Sequence, residues 1–497
     1  MRARTPSYVV SVKLKLTESV ENRLEKTFCI VNSAYNEALS FGLRRFEALK
    51  QNSRYQELLE LRRNNKHQVK EYNKELFELF KMYGLTEFKL SARLGQQRRK
   101  PNSSYQQINY AELQVIAGQA YKALEKVLFY RIKSSSVQFR SKYDLNMSYR
   151  NKVDRTGTRI IPSDRKGYAY RLYIHKHKTF VDIPIKAFNN YQQMSLLKSE
   201  RIKYVQIIRK TIRGKRVYIL QIVCQGFPLT KVERGVGIMG IDPGVSTVAY
   251  VSKNSLALVD LIPKDVNRKE KLMRYLDKAI ERSRRANNPN CYHSNGTIKK
   301  GSKFKHPSNR QIKLQVRRMK LYRSLSEERK KIQGQLVNHL VSQASLIKIE
   351  DLNVKGLQRR SKEIRINPKT NRPFSKKRYG KSVFRAAPSS FRQLLQTRAS
   401  QLGVDVELIQ PKDLKPSQYN HITQTFEKKS LSTRLYDLSE KWTSVQRDLY
   451  SAFLIGHIEN GSYQQEQLTQ DFPDFYKQME SFLQQPRNTN RLNWYLN

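Results

Sequence analysis

A surplus of positive charge constrains this chain more than any other feature. Its 95 lysines and arginines stand against 42 aspartates and glutamates, a formal charge of +53. Like charges at that density repel one another unless a polyanion neutralises them, which excludes an ordinary metabolic enzyme acting on a small neutral substrate. Nucleic acid is the natural polyanion, and basic residues recur over most of the 497 positions, so an extensive contact is expected. An anionic membrane is the rival. No run of about 18 uncharged apolar residues occurs, and lysines interrupt the opening MRARTPSYVVSVKLKL before a signal-peptide core can form, so the chain reads as cytoplasmic. Aromatic residues make up 10% of it, enough, with long periodic apolar stretches, to build cores rather than remain disordered. Several domains or lobes are expected at this length. The three cysteines, Cys29, Cys224 and Cys291, are too few and too far apart for a disulfide framework or a four-cysteine zinc ribbon.

Apolar spacing organises the first half. Residues 8–16 alternate apolar and polar, as a half-buried strand does. Thr17 is placed to cap a helix with Glu18 in its first turn, and Val20, Leu24, Phe28, Val31, Tyr35 and Leu39 follow at spacings of three or four. The helical period dominates to about residue 132, broken by the loop signal Lys100-Pro101-Asn102-Ser103-Ser104. Its last helix carries Leu113, Ile116, Ala120, Leu124, Val127 and Leu128. From Val137 the period becomes two, and VQFRSKY, YAYRLYIH, FVDIPI, IKYVQIIRK and RVYILQIVC read as short strands split by turn residues such as Asp164 and Gly214. Two arrangements fit. The helical and strand-rich segments are domains in tandem, or residues 1–16 and 136–232 form one small β-barrel interrupted by a helical segment, 17–135.

The second half opens on another strand set, GVGIMGIDPGVSTVAYVSKNSLALVDLI at 235–262, followed by helical pattern from Val266 to Ala344 with a polar interruption at 286–309. Residues 264–331 hold 22 basic residues against six acids, and residues 355–385 hold 12 against one, so the latter reads as a mobile basic loop. Between them lies the strand ASLIKIEDL; helix 389–402, strand VDVELI and a helix from about Ser444 past Ile458 follow. The tail 459–497 differs, with three basic residues against five acids.

In so basic a chain most acids should pair at the surface, so the informative ones end buried apolar runs. Asp242 ends VGIMGI before the turn pair Pro243-Gly244, Glu350 ends SLIKI before Asp351-Leu352, and Asp448 lies in the first turns of SVQRDLYSAFLIGHI, where the helix dipole favours an anion. Each alone has a structural explanation: a turn, a solvated strand end, a helix N-terminal charge. Their order carries more. A strand aspartate, a later strand glutamate and a helix aspartate is the order in which an RNase H-like sheet brings three carboxylates to one edge. Grouped carboxylates need cations to stay ionised together, and hard oxygen ligands select Mg²⁺ or Mn²⁺. Two such ions about 3.5–4 Å apart activate a water and stabilise the leaving 3′ oxygen of a phosphodiester.

GIDPGV at 240–245, IEDLNVKGL at 349–357 and RDLYSAFLI at 447–455 resemble the three split RuvC motifs of TnpB and the type V CRISPR nucleases. The third match is looser, with Tyr450-Ser451-Ala452 where the family has Asn-Ala-Ala. Residues 8–39, YKALEKVLFYRI with VQFRSKYDL, and SSFRQLLQTRASQLGVDVELIQP resemble further segments of the family, so the likeness spans most of residues 8–458. It implies a multi-domain α+β chain: a helical recognition lobe (17–135) inserted in a small wedge β-barrel (1–16 plus 136–232), then an RNase H-like (RuvC) α/β nuclease domain. That domain would comprise residues 233–388 and 389–458, with a nucleic-acid-binding insert at about 411–443 and a C-terminal tail at 459–497. It implies that Asp242, Glu350 and Asp448 are catalytic metal ligands, and that the partners are a guide RNA and target double-stranded DNA, in the cytoplasm of a prokaryote. Arg317, Arg318, Lys320 and Arg323 would line the nucleic-acid channel, with a solvated face the equal alternative, and Arg140 and Lys142, beside Phe139 and Tyr143, are candidates for contact and base stacking, with core packing the alternative for the aromatics.

The chain departs from the family at its zinc ribbon. Asn420 and Thr423 stand where the first Cys-x-x-Cys is expected and no cysteine follows, so no structural zinc is expected; the insert has lost its metal or folds around Phe426, Leu431, Leu435 and Trp442. Cys291, His293 and His306 have a conceivable ligand spacing but lie in a polar insert. Within the resemblance two relatives stay open: a miniature type V-F effector, which acts as an asymmetric homodimer on one guide RNA and is favoured by the length and enlarged helical segment, or a transposon-encoded TnpB nuclease. A nuclease-inactive RNA-guided DNA-binding protein usually lacks one carboxylate, whereas all three are present here. A general RNA-binding protein explains the charge but not the Asp–Glu–Asp series.

Overall fold

The alternation at residues 8–16 becomes strand β1 (Ser7–Lys13), with Tyr8, Val10 and Val12 buried on one face. The computed structural model describes residues 5–65, 67–129, 137–141, 144, 147–152, 158–174, 179–183, 191–199, 201–212, 215–305, 307–360, 363–364, 366, 379–410, 414–428, 430 and 433–484, and every count or absence below refers to these. They fall into two compact units, Met1–Leu229 and Thr230–Asn497.

In the first unit β1 is followed by helices α1 (Glu18–Lys50), α2 (Ser53–Asn64), α3 (Val69–Met82), α4 (Glu87–Arg99) and α5 (Tyr110–Leu128). Then come β2 (Met147–Lys152), β3 (Arg159–Pro162), β4 (Tyr170–Ile174), β5 (Thr179–Ile183), α6 (Tyr191–Leu197), β6 (Ile202–Ile212) and β7 (Lys215–Gln225). The stripe from Val20 to Leu39 on α1 and the apolar set from Leu113 to Leu128 on α5 are buried in one core. The two helices cross so closely that a Cβ on Gly42 would stand 2.6 Å from Leu124. Thr17 occupies the N-cap position of α1 without a side-chain bond, whereas Asn109 and Glu112 close a full capping box on α5. β1 pairs antiparallel with β7, Ser7 opposite Gln225 and Lys13 opposite Ile219, so the chain leaves this sheet after one strand and returns to it after the helices.

The expected closed barrel is not what the described residues form. They make two open antiparallel sheets, ordered β1-β7-β6-β2 and β3-β4-β5; β1 and β2 each pair along one edge, and β3–β5 pair only among themselves. Nor is VQFRSKY a strand where it is described. Asn36 donates to the Arg140 carbonyl (2.7 Å) and accepts from the Arg140 amide (2.8 Å), and Asn32 donates to the Ser141 carbonyl, so α1 side chains take the groups a neighbouring strand would bond.

The second unit contains β8 (Ile238–Pro243), β9 (Thr247–Ser252), β10 (Ser255–Asp260), α7 (Val266–Asn287), α8 (Asn309–Val341), β11 (Leu346–Glu350) and α9 (Val354–Leu357). After them come α10 (Gly380–Ala386), α11 (Pro388–Leu402), β12 (Asp405–Ile409), α12 (Arg447–Gly456) and α13 (Gln465–Gln484). The strands pair in the order β10-β9-β8-β11-β12, antiparallel from β10 to β8 and parallel from β8 to β12. Alternation gives the sheet two faces. Met239, Ile241, Val248, Tyr250, Ile347 and Ile349 point into a core shared with α8 and α11. Gly240, Ala249 and Val251 point at α12. α12 begins at Arg447 rather than near Ser444, because Val445 and Gln446 pair as strand with Tyr436 and Leu435 and Ser444 has φ 55°. The acidic tail is not a tail as far as it is described. It forms α13, with Leu468, Phe472, Phe475 and Met479 buried at spacings of four, three and four. No described helix is long and apolar enough to cross a membrane.

Candidate active site

The parallel pairing of β8 and β11 sets the first two carboxylates side by side. Ile349 stands opposite Ile241, so Glu350 and Asp242 are the next residues outward on adjacent strands. By alternation both belong to the face that carries Gly240 and Lys348, the face covered by α12. Lys348 itself is buried on this face, donating to the Ile458 carbonyl at 2.6 Å beyond the end of α12. Asp448 lies in the first turn of α12, whose N-cap Gln446 accepts from the Leu449 amide at 2.6 Å. Asp448, Ala452 and Gly456 share one helix face, and the last two lie directly on Gly240. The structure thus brings Asp242, Glu350 and Asp448 to one sheet edge.

Electrostatics reports the same convergence. Desolvation pushes the Asp242 carboxyl well above its ordinary range, Glu350 and Asp448 add repulsion, and the Arg447 guanidinium offsets part of it. Glu350 is raised by desolvation and then by its neighbour Asp351. Asp351 is engaged elsewhere, by Arg392 of α11 and by Gln410.

Asp448 meets two guanidiniums. Its Oδ1 accepts from Arg447 Nε (3.1 Å) and Nη2 (2.9 Å), and its Oδ2 from Arg434 Nη1 (3.1 Å). The donor chemistry, three mutually repelling carboxylates at one edge, fits a hard divalent cation. As the side chains lie, no three acidic, imidazole or thiol groups among the described residues form a ready metal cage, and Asp448 is the member whose oxygens are taken by arginines. Arg434 and Arg447 are site residues that the sequence reading misses. Arg447 was signalled by adjacency to Asp448, whereas nothing local marks Arg434, fourteen residues upstream.

The nucleic-acid candidates fare differently. Arg140 is used internally: its guanidinium lies 3.7 Å over the Tyr35 ring and donates to Gln119 at 2.8 Å. Lys142 and Tyr143 lie outside the described residues, and Phe139 is exposed. Arg318 pairs at 2.5 Å with Asp277 across the α7–α8 hairpin, Arg317 and Lys320 are exposed, and Arg323 is half-buried. In the insert, Phe426 and Leu435 are 52% and 49% exposed, so they do not form the expected core, and Leu431 lies outside the described residues. Trp442 does turn inward as expected, joined by Tyr419, His421 and Leu438. Tyr450 joins them through its hydroxyl, 2.7 Å from His421 Nδ1. Cys291 Sγ contacts the Lys303 carbonyl, and His306 lies outside the described residues.

No family model and no curated protein matches this chain. Among solved structures it is similar to a Cas12f1–sgRNA–target DNA complex, at 10% identity and TM-score 0.47 over 91% of this chain and 99% of that one. It is also similar to the mini-RNA-guided endonuclease CRISPR-Cas_phi3, at 11% identity and TM-score 0.37 over 90% and 91%, and to a CRISPR-Cas12f ternary complex, at 12% and 0.26 over 90% and 87%. At TM-scores below 0.5 these likenesses carry no inference of their own.

Proposed function

We propose that this chain is an RNA-guided DNA endonuclease of the type V-F kind, hydrolysing phosphodiesters at Asp242, Glu350 and Asp448. The observation that carries the proposal is the convergence of these three carboxylates from β8, β11 and α12 on one sheet edge, with Asp242 feeling both others. The strand order β10-β9-β8-β11-β12, with its change from antiparallel to parallel at β8, supports an RNase H-like reading of this unit. The guide, the target duplex and a short flanking motif follow from the resemblance of the three motifs, and the charge of +53 suits two nucleic-acid partners.

Asp242, Glu350 and Asp448 would hold Mg²⁺ or Mn²⁺, which when bound supplies activation of a water and charge stabilisation at the phosphate. The chain's own part is to hold Asp242 and Glu350 on rigid parallel strands and to bring Asp448 to them on α12. Arg434 and Arg447 neutralise Asp448, and Arg434, whose side chain is 62% exposed, would be open to a phosphate beside the carboxylates. The expected assembly is two copies on one guide RNA, measurable by mass of the purified complex.

The test is cleavage of guide-matched duplex DNA in Mg²⁺. Asp242→Ala, Glu350→Ala and Asp448→Ala should each abolish cutting while binding survives, and full cutting by Asp242→Ala defeats the site assignment. Sequencing RNA protected by the protein purified from its host should give one discrete guide species; a smear of host RNA leaves only an unguided basic nuclease.

A further inference from the structure

The described residues of the segment 414–446 contribute Arg434 to Asp448 and hold together mainly by short turns and bridges such as Asn420 to the Leu438 carbonyl. Their strand pairings are two residues long, Tyr419–Asn420 with Thr425–Phe426 and Leu435–Tyr436 with Val445–Gln446, and Ile422, Phe426 and Leu435 are each more than 40% exposed. A two-stranded ladder of that length has no independent stability in water.

Much of what this segment buries, it buries against α12 and α13, with Tyr419 also stacked 4.2 Å from Tyr463 in the connection between those helices. The His421 and Trp442 rings lie 4.5 and 5.3 Å from the ring of Phe472, which is 2% exposed, and Trp442 lies 4.7 Å from Tyr476. Hydrogen bonds follow the same seam. Gln465 donates to the His421 carbonyl and accepts from the Tyr419 hydroxyl (3.1 Å), and the Tyr476 hydroxyl donates to the Thr443 carbonyl (2.8 Å). The far end of the segment is tied to the site: the Arg447 amide donates to the Arg434 carbonyl at 2.9 Å, and Arg434 Nη1 donates to Asp448.

We infer that α13 is a positioning element of the candidate site: through Phe472 and Gln465 it docks residues 414–446 so that Arg434 reaches Asp448. Aromatic packing from a helix outside the sheet thereby does for this segment what a bound metal does for a cysteine-ligated one. The catalytic consequence rests on the proposed nuclease reading; the docking does not.

Amide hydrogen exchange on the full chain tests the docking, with the Arg447 amide as reporter of Arg434. In Phe472→Ala, exchange at Arg447 and across 419–446 should quicken at least about tenfold while β8, β9 and β11 keep their protection, and Phe472→Leu should recover most of it. Gln465→Ala with Tyr476→Phe leaves the apolar core untouched and should quicken the same amides. Cleavage by these variants should lose turnover with nucleic-acid affinity kept. Unchanged exchange at Arg447 in both variants overturns the inference, as does quickened exchange with full turnover. If the unsubstituted chain cuts nothing, the nuclease reading fails while the Arg447 amide still decides the docking.

Discussion

Gly240 and Gly456 meet backbone to backbone: a Cβ on Gly240 would stand 2.4 Å from the Gly456 amide nitrogen and 2.0 Å from the Ala452 carbonyl oxygen. This contact seats α12 on β8, with Ala452 about one helical turn and Gly456 about two from Asp448, and Gly240 two strand residues from Asp242. Neither obstructing atom belongs to a side chain that can turn away. Gly240→Ala is therefore expected to force the helix off the strand and to cost more than the roughly 1–3 kcal/mol of ordinary overpacking. Gly456→Ala, whose Cβ would meet Gly240 only at 3.4 and 3.7 Å, should be much milder. Thermal melts of the two variants check the ranking.

Asp242 is held desolvated beside two carboxylates, so its folded pKa is raised. Its contribution to stability is whole below the ordinary aspartate range and is lost as pH rises through the raised value. In chelator, raising the pH from 5 to 8 should therefore lower the melting temperature of the unsubstituted protein relative to that of Asp242→Asn. Added Mg²⁺ should raise the melting temperature of the unsubstituted protein at pH 8 and not that of Asp242→Asn.

His421 has the opposite sign. Burial, and secondarily His457, hold its pKa down to about 4, so it is neutral in the fold and its contribution is lost as pH falls from 6.5 toward 4. Amide exchange across 419–446 should quicken over that interval, ahead of global unfolding. His421→Gln should remove the pH dependence.

Arg140 and Arg317 separate packing from binding. Arg140→Ala should lower stability by about 2 kcal/mol through loss of its desolvated stack on Tyr35, with the salt dependence of nucleic-acid binding unchanged. Arg317→Ala and Lys320→Ala, both exposed, should leave stability alone. Each that touches a phosphate should reduce the slope of log K against log salt by about 0.9. Binding titrations at several salt concentrations decide between them.

Local periodicity was legible in the sequence. The stripe from Val20 to Leu39 is buried residue for residue, and the two acids that end apolar strands and the one that opens the apolar helix are those brought together at the sheet, because strand and helix periods dictate which side chains share a face. Other features were present but unread. α13 shows apolar spacing at Leu468, Phe472, Phe475 and Met479 inside a segment whose acidity suggested only a tail. Arg140 looked like a ligand for phosphate because a basic residue among aromatics has the same sequence signature whether it stacks on a base or on Tyr35.

By itself, then, the sequence determined the surplus of positive charge, the order of most helices and strands and the positions of the three acids at the ends of their elements, since charge, period and chain order are properties of neighbours along the chain. The tertiary structure alone decided that the first unit's described strands form two open sheets, that Arg434 reaches Asp448 and that the His421 and Trp442 rings pack on Phe472. Those outcomes depend on which edges pair and which surfaces exclude water, and residues far apart in the chain settle both.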